Sequence, residues 1–108
     1  MTFSIVIPTK NRPKQLKTLF ASLINQNRLP DQIIIIDQSD EDKVEKSSFL
    51  KYKNKFKFGL DYIYNNKING LVEAKNSALP INKCGYITFL DDDIVLETSY
   101  LYEIEKAL

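Results

Sequence analysis

The chain contains no histidine and a single cysteine, Cys84. Without imidazole there is no histidine general base and no nitrogen ligand, so any metal site must be built from oxygen. One cysteine excludes an internal disulfide and fits a reducing compartment, and the thiol is expected to act as a small buried hydrophobe. Glycine is scarce, with three residues in 108. Neither Gly-x-Gly-x-x-Gly nor Gly-x-x-x-x-Gly-Lys-Ser/Thr occurs, which excludes the two common glycine-rich phosphate loops. No apolar run approaches the roughly 18 residues of a membrane span. Met1-Thr2-Phe3 opens directly into a strand pattern without a signal peptide. Charge of one sign is also lacking: the net value of +1 supplies no global attraction to nucleic acid or an anionic membrane.

What is present is enough for one small domain. A chain of 108 residues with 44% hydrophobic and 27% charged residues can bury a core as an ordinary globular protein. It is short for an enzyme that must hold two substrates.

The pattern alternates strand and helix. Phe3 to Ile7 is a β-branched run stopped by Pro8. Leu16, Leu19, Phe20, Leu23 and Ile24 recur at helical spacing, with Asn11 or Arg12 as cap and Pro13 in the first turn. Gln32 to Asp37 carries four consecutive isoleucines, which suit a central strand covered on both faces. Residues 40–58 predict an amphipathic helix with Val44, Phe49, Leu50 and Tyr52 on its inner face. Leu60 to Tyr64 reads as a third strand, Leu71 to Leu79 as a helix stopped by Pro80, Gly85 to Leu90 as a fourth strand, and Glu97 to Leu108 as a further helix. The expected fold is α/β: a mostly parallel, Rossmann-like sheet of about four strands flanked by helices.

Ligands of such sheets bind beyond the carboxyl ends of the strands. Thr9 to Arg12, Asp37 to Ser39, the loop from Asn65 to Gly70, and Asp91 to Asp93 all follow strand ends, so all four are expected at one crevice. Asp91-Asp92-Asp93 is the most informative of these. Three like charges at the end of an apolar strand are unfavourable unless a cation shares the site. Mg²⁺ or Mn²⁺ takes one or two carboxylates plus phosphate and water oxygens, and alternation along an extended segment puts Asp91 and Asp93 on one side. Asp37 can accept from ribose hydroxyls or a base N–H. The backbone and hydroxyl of Thr9 can receive a nucleotide, and Lys75 is a diphosphate neighbour on its helix. An acidic loop or an exposed helical lysine is, by itself, more often merely solvated.

Ile5-Val6-Ile7-Pro8-Thr9-Lys10-Asn11-Arg12, Ile35-Ile36-Asp37-Gln38-Ser39, Gly70-Leu71-Val72-Glu73-Ala74-Lys75-Asn76 and Phe89-Leu90-Asp91-Asp92-Asp93 together resemble the inverting family 2 glycosyltransferases of GT-A fold. The resemblance runs through the whole chain. It implies a nucleoside-diphosphate sugar donor, with Pro8 and Thr9 beside the nucleoside and Asp37 at the base or ribose. Asn11, Arg12, Ser39 and Lys75 belong to the same nucleotide-binding set. Asp91 to Asp93 match the family's Asp-x-Asp motif, Asp91 and Asp92 on the nucleotide side and Asp93, with Asp91, as ligand of Mn²⁺ or Mg²⁺.

Three departures accompany the likeness. Gln38 stands where many members have a second Asp, Lys75 where they have Arg, and Lys10 where Glu or Tyr is common. The family's catalytic carboxylate follows the Asp-x-Asp motif at a distance, and only 15 residues follow Asp93. The expectation is therefore a donor-binding part of a longer transferase, truncated at its C-terminal end and lacking the base. Acceptors of polysaccharide, lipid-linked or protein type all remain open. The implied location is cytoplasmic, or peripheral at the inner face of a membrane. A second reading is a non-catalytic nucleotide-binding or homodimerising module. A receiver-type phosphotransfer domain requires an acidic pair where Thr9-Lys10-Asn11-Arg12 stands, and a nucleotidyltransferase requires a glycine-rich basic loop after its first strand.

Overall fold

The computed structural model describes residues 1–41 and 44–108. Four strands form one sheet: β1 (Phe3–Thr9), β2 (Gln32–Asp37), β3 (Leu60–Tyr64) and β4 (Tyr86–Phe89). Their order is β3-β2-β1-β4, and every pairing is parallel. Helices α1 (Pro13–Ile24), α2 (Ser47–Leu50), α3 (Leu71–Ala78) and α4 (Tyr100–Ala107) make the connections and cover the faces.

The isoleucine run explains why β2 is central. Successive side chains alternate faces. Ile33 and Ile35 enter one apolar cluster with Ile5, Ile7, Leu16, Leu19, Leu23 and Leu101, while Ile34 and Ile36 enter a second with Val6, Ala74 and Ala78. All four isoleucines are fully buried. Burying each such side chain contributes about 1.5–3 kcal/mol, a gain available only to a strand covered on both sides. The alanines of α3 allow that helix to sit close to the sheet.

The amphipathic helix expected within residues 40–58 is the short α2, followed by a 3-10 turn at Lys53–Lys55; Asp42 and Lys43 lie outside the described residues. Val44 and Phe49 are buried as expected and Tyr52 is half-buried, but Leu50 is 37% exposed. The reason is packing around aromatic rings. Phe49 and Tyr52 both meet Phe20 edge to face, at centroid distances of 5.0 and 5.7 Å. That cluster anchors the segment with little helical periodicity, and six residues from 46 to 58 are lysine or asparagine.

Two smaller expectations are also corrected. Neither Asn11 nor Arg12 caps α1 through its side chain: Arg12 occupies the cap position without a side-chain bond, and Pro13 starts the helix. Cys84 is only half-buried, because it lies in the tight loop before β4, where its N–H donates to Asn82 Oδ1 at 3.1 Å. No helix among the described residues is long and apolar enough to cross a membrane.

Candidate functional site

The chain runs from β1 to β2 and β3 on one side, then returns to place β4 on the other side of β1. The reversal leaves an opening above the carboxyl ends of β1 and β4, the switch point at which open parallel sheets bind ligands. A cleft of about 530 Å³ occupies it, lined by Pro8 to Arg12, Gln38, Asn69 to Leu71, and Asp91 to Asp93.

The acidic turn is placed by the sheet. Leu90 N–H donates to the Val6 carbonyl at 2.9 Å, extending the β1–β4 ladder by one residue. Asp92 then turns inward and is 7% exposed. Its Oδ2 accepts from Thr9 Oγ1 at 2.8 Å and its Oδ1 from Arg12 Nη1 at 3.2 Å. Arg12 also lies 3.5 Å from Asp93 Oδ2. Asp91 and Asp93 are exposed at the mouth of the cleft. Thus the triplet divides: one carboxylate is locked into the protein and two face solvent. Arg12 supplies part of the cationic compensation such a cluster needs, but two cations, Lys10 and Arg12, still face three carboxylates along the lining.

The loops after β1 and β2 are tied to each other. Asn11 has φ 57, a left-handed conformation that asparagine tolerates because its short side chain bonds locally. Its N–H donates to Ser39 Oγ at 2.8 Å and its Nδ2 to Asp40 Oδ2 at 3.1 Å, while Asp40 N–H donates back to Asn11 Oδ1 at 3.2 Å. Gln38 Nε2 donates to the Gly70 carbonyl at 3.0 Å. Gly70 itself has φ 96 and ψ 172, a region essentially restricted to glycine.

Not every expected residue reaches the cleft. Pro8, Thr9, Asn11, Arg12, Asp91, Asp92 and Asp93 line it together. Asp37 does not: it is fully buried beneath it, with Oδ1 accepting from the N–H and hydroxyl of Ser39 and Oδ2 from Tyr62 at 2.6 Å. Ser39 is 5% exposed and bridges Asp37 to Asn11. Lys75 is exposed on α3 outside the lining, its ammonium 5.1 Å from the Phe89 ring centroid. Lys10, Gln38, Asn69 and Gly70 line the cleft, as expected of the segments that hold them, although no role was assigned to these side chains, and Leu71 joins them. Their position after strand ends was the available signal.

Comparison with known proteins agrees with this architecture. Residues 4–108 match glycosyl transferase family 2. A GalNAc(5)-diNAcBac-PP-undecaprenol beta-1,3-glucosyltransferase of Campylobacter jejuni is 33% identical over 92 residues, which is 83% of this chain and 29% of that protein. The poly(ribitol-phosphate) beta-N-acetylglucosaminyltransferase TarP of Staphylococcus aureus is 30% identical over 104 residues, 94% of this chain and 31% of its own. The crystal structure of S. aureus TarS 1-349 in complex with UDP-GlcNAc superposes with a TM-score of 0.78 at 25% identity, over 98% of this chain and 30% of that one. The parallel sheet with its flanking helices is therefore a GT-A fold, and the class is that of the glycosyltransferases. The chain belongs to glycosyl transferase family 2. It spans a little under a third of the length of the two named relatives.

Proposed function

We propose that the cleft binds the nucleoside diphosphate of a sugar donor for an inverting, divalent-metal-dependent hexosyl transfer. The observation that carries this reading is the division of the acidic triplet. Asp92 is held by Thr9 and Arg12, which leaves Asp91 and Asp93 exposed on the side from which a diphosphate would enter. Two carboxylates are what Mg²⁺ or Mn²⁺ takes from protein when phosphate and water complete its shell. A cation would also favour diphosphate entry electrostatically, since the lining sets two cations against three carboxylates. When bound, the cation would neutralise charge on the departing nucleoside diphosphate.

The remaining roles follow from placement. Pro8 and Thr9 form the floor beside the nucleoside, and the exposed half of Arg12 can leave Asp93 for a phosphate oxygen. Asp37 and Ser39 set the shape of the wall through Tyr62 and Asn11, and contact a base or ribose only if Tyr62 or Ser39 releases a hydrogen bond. Lys75 reaches the diphosphate only by leaving the Phe89 ring. Transfer needs a base that takes the proton of the acceptor hydroxyl. The acceptor oxygen then bonds to the anomeric carbon, and the bond to the diphosphate oxygen breaks. The Campylobacter relative's name specifies a diphosphate-linked acceptor and TarP's a phosphate polymer, so a phosphate-bearing glycan is the acceptor class to try first.

Calorimetric titration with UDP, GDP and dTDP, with and without Mn²⁺, tests the reading. UDP is expected to bind only with the cation, and Asp93→Ala to weaken that binding at least about tenfold. Absence of nucleotide binding, or an unchanged Asp93→Ala, refutes the site.

A further inference from the structure

Away from the cleft, the stretch from α2 to the start of β3 carries a concentration of lysine. Between Glu45 and Asp61 the sequence has no carboxylate, yet it has Lys46, Lys51, Lys53, Lys55 and Lys57. The last four are all exposed. None of these four, nor Lys17 on α1, joins an ion pair among the described residues; the salt bridges there involve only Arg12 and Arg28. Four ammonium groups close in sequence and without ion-pair partners gain from an external anionic surface.

Lys51 joins this stretch to a groove with apolar walls. The groove, of about 260 Å³, runs between α1 and α2, with Phe20, Ile24, Phe49 and Tyr52 in its walls and Lys17 and Lys51 among its lining. Leu50 is 37% exposed. Lys51 lies over the Tyr52 ring at 5.3 Å and Lys57 over Phe58 at 5.3 Å. Lysine heads standing over half-buried rings, beside an exposed leucine, match the headgroup zone of a bilayer, where ammonium groups meet phosphates and ring edges sit just below.

We propose that this stretch and its groove dock the protein onto an anionic lipid bilayer. The residue type favours a bilayer over nucleic acid. Every cation there is lysine, a point charge suited to a diffuse anionic surface, and the arginine forks that read individual phosphates and bases are absent. None of these lysines lines the cleft, so docking leaves the donor site uncovered. Each lysine near an anionic surface contributes about 1 kcal/mol, roughly fivefold in affinity.

The test is co-sedimentation of the 108-residue chain with vesicles of phosphatidylcholine alone and of equimolar phosphatidylcholine and phosphatidylglycerol. Binding is expected only to the mixed vesicles, and it should fall steeply as salt is raised. Lys53→Glu/Lys55→Glu should weaken it at least about tenfold, whereas the charge-matched Lys83→Glu/Lys106→Glu, on exposed sites elsewhere, should weaken it clearly less. Circular-dichroism melting shows whether each variant is folded; should the first pair unfold the protein, Lys53→Gln/Lys55→Gln takes its place. No binding to mixed vesicles at low salt, equal loss in both pairs, or tighter binding to random-sequence RNA than to the vesicles overturns the proposal.

Discussion

Asp92→Ala should destabilise the protein by about 1–3 kcal/mol, and nearly all of the loss should arise at one hydroxyl. Asp92 is 7% exposed and accepts from Thr9 Oγ1, which is itself only 4% exposed. Removing the carboxylate leaves a buried hydroxyl without its acceptor, and an orphaned buried donor costs about 1–3 kcal/mol. The ion pair contributes less. The Arg12 side chain is half exposed, and such pairs are generally worth under about 1 kcal/mol. Relief of repulsion with Asp91 and Asp93 offsets part even of that. Asp92→Asn keeps an oxygen for Thr9 and discards only the charge, so it should cost under about 1 kcal/mol. Urea unfolding of both variants, of Thr9→Ala and of Thr9→Ala/Asp92→Ala, measures this directly. The double variant removes donor and acceptor together, so the cycle should show coupling of about 1 kcal/mol. Equal losses for Asp92→Asn and Asp92→Ala, or no coupling to Thr9, would refute the claim that the hydrogen bond holds the acidic turn.

Arg28→Ala should cost about 1–3 kcal/mol in the same assay, because Arg28 bonds Asp31 and Glu105, each at 3.0 Å, and the Met1 carbonyl at 2.7 Å, and lies 4.8 Å from the Phe3 ring centroid. Burial opposes its charge, but the bonds from Glu105 and Asp31 prevail and raise its pKa, so Arg28→Lys, which lacks the planar fork, should not restore the loss. Gly70→Ala should destabilise by about 1–3 kcal/mol through backbone strain alone, since a methyl group there would meet nothing within 4 Å; a nucleotide titration should show weakened binding, because the Gly70 carbonyl holds Gln38. Ile34→Ala, at a fully buried central position, should cost about 2–5 kcal/mol by thermal or urea melting.

The sheet was legible because its signal is local. Four isoleucines in sequence can be satisfied only between two covering layers, and Pro13 opens α1; Pro8, expected to stop the first strand, instead lies inside β1, which runs on to Thr9, and Pro80 sits in the 3-10 turn that follows α3. Within residues 40–58 amphipathic spacing showed that a helix was present but not how short it is, because Phe20 gathers Phe49 and Tyr52 from a different element altogether. Asp37 illustrates the same limit at the site. Its place at a strand end was readable, but Tyr62 on β3 and Ser39 occupy both its oxygens, and no sequence spacing foretells that.

By itself the sequence determined the parallel α/β class, the family motifs and the strand-end positions of the acidic triplet, because alternation, proline placement and motif order are properties of neighbours along the chain. Only the tertiary structure decided which of the three aspartates is tied down. Asp92 meets Thr9 and Arg12 from about 80 residues away, and a contact over that separation exists only once β4 has paired with β1.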